Sequence, residues 1–299
     1  MRSSSLARKR EERIAYLLLT PWIIGFVVFT AGPIIVSIIL SLTRYDLLSP
    51  PQFIGFGNFR EMLYKDKLLW QSLKITAIYS FVSIRLSIVI GYSLALLLNQ
   101  KIKGLAIFRT IFYIPVVISG VAVAILFQWI FNPHVGLVND LLAKIGIQGP
   151  AWFASVKWAL PTFIVMSLWS VGGGVILYLA GLQSIPTTLY DAAEIDGARK
   201  WQKLRYITIP LSTPIIFFQL IMGLIGSFQI FTQGYVITGG GPANSTLFYV
   251  LYLYRNGWRY FRMGYASALA WVLFIIILSL TLLVFRTSRR WVYYGGSTR

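Results

Sequence analysis

Side chains able to make or break bonds are scarce in this chain, and their placement narrows its chemistry. Among 299 residues there are nine acids, one His and no Cys. Without cysteine there is no disulfide framework, thiolate metal site or Cys nucleophile. The lone His134 excludes a multi-histidine site, and no acid pair or nucleophile triad is spaced for catalysis. The remaining polar groups gather in two places. One is the charged stretch from Asp191 to Pro210, which lies between two long apolar runs. The other is inside an apolar run, where Gln219, Ser227, Gln229, Thr232 and Gln233 interleave with Phe217, Phe218, Phe228, Phe231 and Tyr235. Amides bond hydroxyl groups and aromatic rings stack on pyranose C–H faces, so this mixture suits reversible contact with a sugar. Trp169 and Ser170 are further candidates. Hydrogen bonding between helices, worth about 1 kcal/mol per contact, accounts for any one of these residues equally well.

The elements that must hold these groups are membrane helices. The chain is 57% hydrophobic and 12% charged, where a soluble domain carries roughly a quarter charged residues. About 20 apolar residues cross the hydrocarbon core. Six windows meet that length: Tyr16–Leu42, Trp70–Leu98, Ala106–Phe131, Ala159–Leu182, Pro214–Ile237 and Gly264–Phe285. The first exceeds a signal peptide's apolar core and has no small-residue cleavage site after it, so it reads as a retained span.

Net charge is +18. The basic residues sit mostly between apolar runs, so they point to orientation in a membrane rather than to nucleic acid. Placing the N-terminus inside puts the larger share of Lys and Arg in the cytoplasm: Arg2, Arg8, Lys9, Arg10, Arg13, Lys101, Lys103, Arg109, Arg199, Lys200, Lys203, Arg205, Arg286, Arg289, Arg290 and Arg299. Six spans return the C-terminus to the same side. The expected organisation is a basic N-terminus over residues 1–15, a six-helix domain over 16–287 and a tail over 288–299, with a cytoplasmic loop at 185–211.

That loop reads as two short helices. Pro186 with Thr187 or Thr188 marks a start, and the first piece runs through Tyr190, Asp191, Ala192 and Ala193 to about Asp196. Gly197 permits the bend. A second piece carries Trp201, Leu204 and Ile207 at three-residue spacing, and Pro210 closes it. Asp191 is expected near the positive end of the first helix dipole. Such a pair fits another protein's groove or the bilayer surface, and the residues alone favour neither. Pro21, Pro33, Pro115 and Gly172-Gly173-Gly174 interrupt the spans, and close packing with tolerated kinks is the simpler account. Arg85, deep in the second run, must face protein or water; His134 belongs to an outer loop.

Here the sequence resembles the permease subunits of bacterial ATP-binding-cassette importers. Their signature is Glu-Ala-Ala, three residues, Gly, nine residues, Ile, one residue, Leu-Pro. Asp191-Ala192-Ala193, Gly197, Ile207 and Ile209-Pro210 keep that spacing, with Asp for Glu and Ile for Leu. The carbohydrate-uptake branch, of maltose and glycerol-phosphate type, is the most similar. Phe53-Ile54-Gly55-Phe56-Gly57-Asn58-Phe59, Asp196-Gly197-Ala198 with Trp201-Gln202, and Thr238-Gly239-Gly240-Gly241-Pro242 with Ser245-Thr246 resemble its segments.

The resemblance implies an all-α membrane protein of six transmembrane helices with the type I importer permease fold and both termini cytoplasmic, in a bacterial inner membrane. It implies a second permease, in a heterodimer, with two copies of a cytoplasmic ATPase and an extracytoplasmic solute-binding protein. ATP and Mg would be held by the ATPase, since this chain has no Gly-x-x-x-x-Gly-Lys-Ser/Thr loop and binds no cofactor of its own. Tyr190, Asp191, Ala192, Ala193, Asp196, Gly197, Trp201, Leu204, Ile207 and Pro210 would couple to the ATPase. Ser227, Phe228, Gln229, Thr232, Gln233 and Trp169 would line the path. An ion-coupled secondary sugar transporter is the alternative. It wants an acid inside a span, and all nine acids fall outside the expected ones.

Overall fold

The computed structural model describes residues 3–100 and 104–293. Arg2, Lys101, Lys103 and Arg299, which the charge argument assigns to the cytoplasm, lie outside them. Fourteen α-helices and one two-residue β-hairpin are present among the described residues. The chain divides into two compact units. One comprises residues up to Asp66 with Leu253–Phe274, the other Lys67–Tyr252 with residues from Ile275 on.

In the first unit, α1 (Ser3–Phe26) continues through a π-helical turn at Val27–Ala31 into α2 (Gly32–Ser41). The turn explains how the run passes Pro33. A proline ring clashes with the carbonyl four residues back and supplies no N–H. Here the Gly32 N–H bonds the Val27 carbonyl five residues back, and the widened turn accommodates the ring. Beyond α2, β1 (Thr43–Arg44) pairs antiparallel with β2 (Gln52–Phe53). Next comes α3 (Gly57–Tyr64). Buried Asn58 donates both amide hydrogens, to the Ser41 carbonyl at 2.8 Å and the Thr43 carbonyl at 2.9 Å, and so caps the end of the first span. Within the same unit the Arg262 guanidinium pairs with Glu61 at 2.7 Å.

The second unit is built around α4 (Lys67–Leu98). The third expected span is not one helix. It is α5 (Leu105–Val117) and α6 (Gly120–Ile130), set at 100° to each other. After α7 (Leu137–Lys144), the fourth span is α8 (Ala159–Ser167) and, past a 3-10 turn, α9 (Gly172–Gln183), bent by 47°. α10 (Thr187–Ile195) and α11 (Lys200–Lys203) follow. A π-helical turn at Leu204–Thr208 leads directly into α12 (Ile209–Phe228). α13 (Tyr249–Tyr254) and α14 (Met263–Ser288) complete the chain. The all-α expectation holds apart from the small hairpin.

Two expectations are corrected. The second loop helix does not close at Pro210: helix is continuous from Lys200 to Phe228. The device is the one used at Pro33, with the Ile209 N–H bonding the Leu204 carbonyl five residues back. The fifth span therefore begins earlier than Pro214 and ends at Phe228 rather than Ile237. Asp191 is the fifth residue of α10, whose first turn holds no acid, so it does not sit at the dipole's positive end.

α4 packs against α8, α9 and α12, with Ala95, Leu98, Val175, Tyr178, Leu179 and Leu182 in one buried cluster. Glycine sets the approach of α5 to α9: a Cβ on Gly172 would stand 1.7 Å from the Phe112 carbonyl oxygen. Gly172→Ala should therefore cost roughly 1–3 kcal/mol or more, read as a lower Tm in detergent. Gly25→Ala, where a Cβ meets nothing within 4 Å, should leave the Tm unchanged or slightly raised.

Candidate functional site

Two features of the second unit are candidates for function: a cavity among the broken spans and the elbow at Gly197. The cavity has a volume of about 640 Å³. Its walls come from α4 (Tyr79, Ser83, Ser87), the bend of the fourth span (Ser167, Ser170, Val171, Gly174), Tyr178, the fifth span from Gln219 to Ser227, and the segment just past its end from Gln229 to Gln233. Hydroxyls, amides and ring faces line it, and none of its lining residues is charged.

The cavity lies where backbone regularity fails. α12 stops at Phe228, and Gln229 has left helical geometry at φ −99°, ψ 15°. The fourth span bends at Ser170–Gly172. The third span breaks at Ile118 and Ser119, both extended, and a Cβ on the adjoining Gly120 would lie 3.8 Å from the Gln233 amide nitrogen. Packing and opened backbone thus coincide: Gly172 provides the close approach, and the interruptions open beside polar side chains.

Ser227, Gln229, Thr232 and Gln233 reach the cavity. Phe228 does not; it is 1% exposed and meets Phe81 edge-on at 6.2 Å between ring centroids. Trp169 is not among the lining residues and stands edge-on to Phe127 at 5.7 Å, while its neighbour Ser170 lines the wall. Arg85 is exposed and does not line the cavity. The His134 backbone N–H bonds the Asn132 side-chain oxygen at 2.9 Å in the turn after α6, as a loop residue should. Tyr79, Ser83, Ser87 and Ser167 escape sequence reasoning. The first three recur at i, i+4 and i+8, which puts them on one helix face, and that period is the signal that could have found them.

The elbow is a pre-formed knob. α10 starts after Pro186 and ends at Ile195, with Asp196 as its C-cap. Gly197 then takes the left-handed conformation at φ +76°, and the Ala198 N–H reaches back to the Ala193 carbonyl at 2.8 Å. This is a Schellman-type stop. The Gln202 side chain accepts the Arg199 N–H at 2.7 Å at the start of α11. Across the bend, Lys203 Nζ meets Glu194 at 2.7 Å. That hydrogen bond and the lysine's charge hold the Glu194 carboxyl below its usual range, so the bridge persists down through mildly acidic pH and is lost only as pH falls through the lowered pKa.

Asp191 and Ala192 are exposed, with Ala193 half-buried. Leu204 and Ile207 are not offered outward: both are half-buried, and Ile207 packs with Tyr190 on the chain's own core cluster. The apolar groups presented instead are Trp201 at 67%, Tyr206 at 71% and Ile195 at 88% exposure. Tyr206 falls off the three-residue spacing of Trp201, Leu204 and Ile207, and Ile195 lies on the preceding helix, across the glycine bend.

The comparisons with known proteins agree with this architecture. Residues 87–292 match the family model described as "Binding-protein-dependent transport system inner membrane component". A probable ABC transporter permease protein, YesP, of Bacillus subtilis (strain 168) is 44% identical over 298 residues, covering 98% of this chain and 96% of its own. The lactose transport system permease protein LacF of Rhizobium radiobacter is 36% identical over 294 residues, covering 96% and 97%. Among solved structures, a chain of a bacterial alginate ABC transporter in complex with an alginate pentasaccharide-bound periplasmic protein aligns with a TM-score of 0.84 at 28% identity, covering 94% of this chain and 96% of that one. Six apolar spans, two of them bent, in the fold of a type I importer permease, together with these full-length likenesses, make this a multi-pass membrane protein that belongs to the family of binding-protein-dependent transport system inner membrane components.

Proposed function

We propose that this chain is one permease subunit of an ATP-driven importer of a sugar or oligosaccharide, forming half of the translocation path. The observation that carries the reading is the uncharged cavity at the bend of the fourth span and the end of the fifth, where amides, hydroxyls and aromatic faces gather. Such groups bind sugar hydroxyls without the desolvation cost of a buried charge. The names of the lactose and alginate relatives support the substrate class.

A second permease supplies the other half. The first span, Arg8–Ser41, buries none of its most apolar stretch within this chain, which leaves that surface for lipid or a partner subunit. Solute arrives on an extracytoplasmic binding protein. ATP and Mg are bound by two copies of a cytoplasmic ATPase, on which the 185–211 elbow docks, with N- and C-termini on the same side. Ala192, Ala193, Trp201 and the exposed Ile195 and Tyr206 are the groups offered to it. Burying such side chains contributes several kcal/mol at about 25 cal/mol per Å².

Reconstitution of the whole complex in proteoliposomes tests the reading. Uptake should require ATP and the binding protein; uptake driven by an ion gradient without ATP would establish the secondary-transporter alternative instead. A Cβ at Gly197 meets nothing within 4 Å, yet Gly197→Val forces a β-branched residue to positive φ. It should leave assembly and ATP hydrolysis in place while uptake falls about tenfold or more, an expectation that wild-type transport rates would refute. Gln229→Leu and Gln233→Leu should each raise the solute concentration for half-maximal uptake by about three- to tenfold, the worth of a lost hydrogen bond, with ATP hydrolysis retained; unchanged uptake curves would remove these amides from the path.

A further inference from the structure

The π turn at Leu204–Thr208 joins the elbow to the long helix of the fifth span, and two hydrogen-bond chains converge on its last residue. From the elbow, the Tyr190 hydroxyl lies 3.0 Å from Thr208 Oγ1. Thr208 Oγ1 in turn donates to the Lys203 carbonyl at 3.3 Å, which makes Tyr190 the donor to Thr208. From the cavity side, the Tyr92 hydroxyl donates to Ser212 Oγ at 3.0 Å, and Ser212 donates to the Thr208 carbonyl at 2.6 Å. The Tyr92 ring meets the Tyr178 ring edge-on at 5.6 Å, and Tyr178 is part of the cavity wall.

Each hydroxyl has one assigned donor role. Ser212 is 1% exposed and Thr208 8%, so water has little access to replace either bond. Leaving a buried hydroxyl unpaired costs more than the bond itself contributes. The turn between the chains closes through a bond five residues back at Ile209, and Pro210 holds it out of ordinary α geometry. A π turn of this kind is a frequent functional irregularity in helices. It lies at the one point of this helix that both hydrogen-bond chains reach.

On the reading that the elbow docks on an ATPase, we infer that Tyr92, Ser212, Thr208 and Tyr190 are positioning residues that transmit the elbow's displacement to the cavity wall at Tyr178. Movement of α10 pulls on Thr208 through Tyr190, and the same residue holds α4 through Ser212 and Tyr92. None of these four residues lines the cavity, and Tyr190, expected from the sequence among the ATPase-coupling residues, turns instead onto Thr208 and the chain's own core cluster.

The test uses the complete complex in proteoliposomes with its solute-loaded binding protein. Tyr92→Phe keeps the ring contact and deletes only the hydroxyl; Ser212→Ala deletes its partner. The readout is the ratio of ATP hydrolysis with loaded binding protein to hydrolysis without it. Each single variant should lower that ratio about three- to tenfold, the double variant no further than the worse single, and Ser212→Thr should restore it. A wild-type ratio in the single variants overturns the relay, as does a double variant whose loss is the product of the two singles. A general packing role would lower Tm and yield with the ratio intact, and that also counts against it. Failure of the relay is distinct from failure of the transport reading, because the wild-type complex reports ATP-dependent uptake independently of these variants.

Discussion

Inside a bilayer every backbone N–H and C=O must find its partner within the protein, and this constraint organises the molecule. A spanning helix can fail to close its ladder only where polar groups or water take over. Here the failures are gathered rather than scattered. Gly120 in the third span, Ser170–Gly172 in the fourth and Gln229–Gln233 just past the end of the fifth all border one region of the second unit. Side-chain amides and hydroxyls collect at the same place. The cavity and the broken helices are therefore one feature, since each supplies what the other needs.

Where a span must continue despite proline, the chain uses a different solution. Pro33 and Pro210 each follow a five-residue π turn by one residue, and in both cases the preceding residue bonds a carbonyl five positions back. Helix continuity through Pro210 has a mechanical consequence. The residues just past the glycine bend and those at the cavity belong to one rod of 29 residues, Lys200–Phe228. At 1.5 Å per residue such a rod spans roughly 40 Å, long enough to carry displacement across the membrane without an intervening joint. The elbow is stiffened to match, by the left-handed Gly197, the Ala198–Ala193 bond and the Lys203–Glu194 bridge.

Much of this was legible from residue order. Apolar runs announce spans because the hydrocarbon core demands a minimum length, and each of the six windows overlaps a helical span or bent pair, the fifth only over Pro214–Phe228. The α10 limits and the bend at Gly197 were also readable, because cap residues and glycine act within a few positions of themselves. The register of the fifth span was not. Proline ordinarily stops a helix, and the long-range bond that rescues it leaves no compositional mark. The facing of Leu204 and Ile207 is not legible for a related reason: an apolar stripe says that a face is buried, not which body buries it.

The cavity shows the same division. Gln229, Thr232 and Gln233 could be singled out because amides and hydroxyls are costly in an apolar run, whereas Trp169 and Phe228 share their neighbourhood yet pack against other rings. Serines of α4 looked ordinary until the fold brought Ser83 and Ser87 opposite the fifth span's break. Residue order alone determined the number of apolar runs and the place of the glycine elbow, since hydropathy and local turn preference are properties of short stretches. Which helices open, and which polar groups face one another across the opening, was decided only when distant segments met, because those contacts depend on the approach that glycines such as Gly172 permit between helices far apart in the chain.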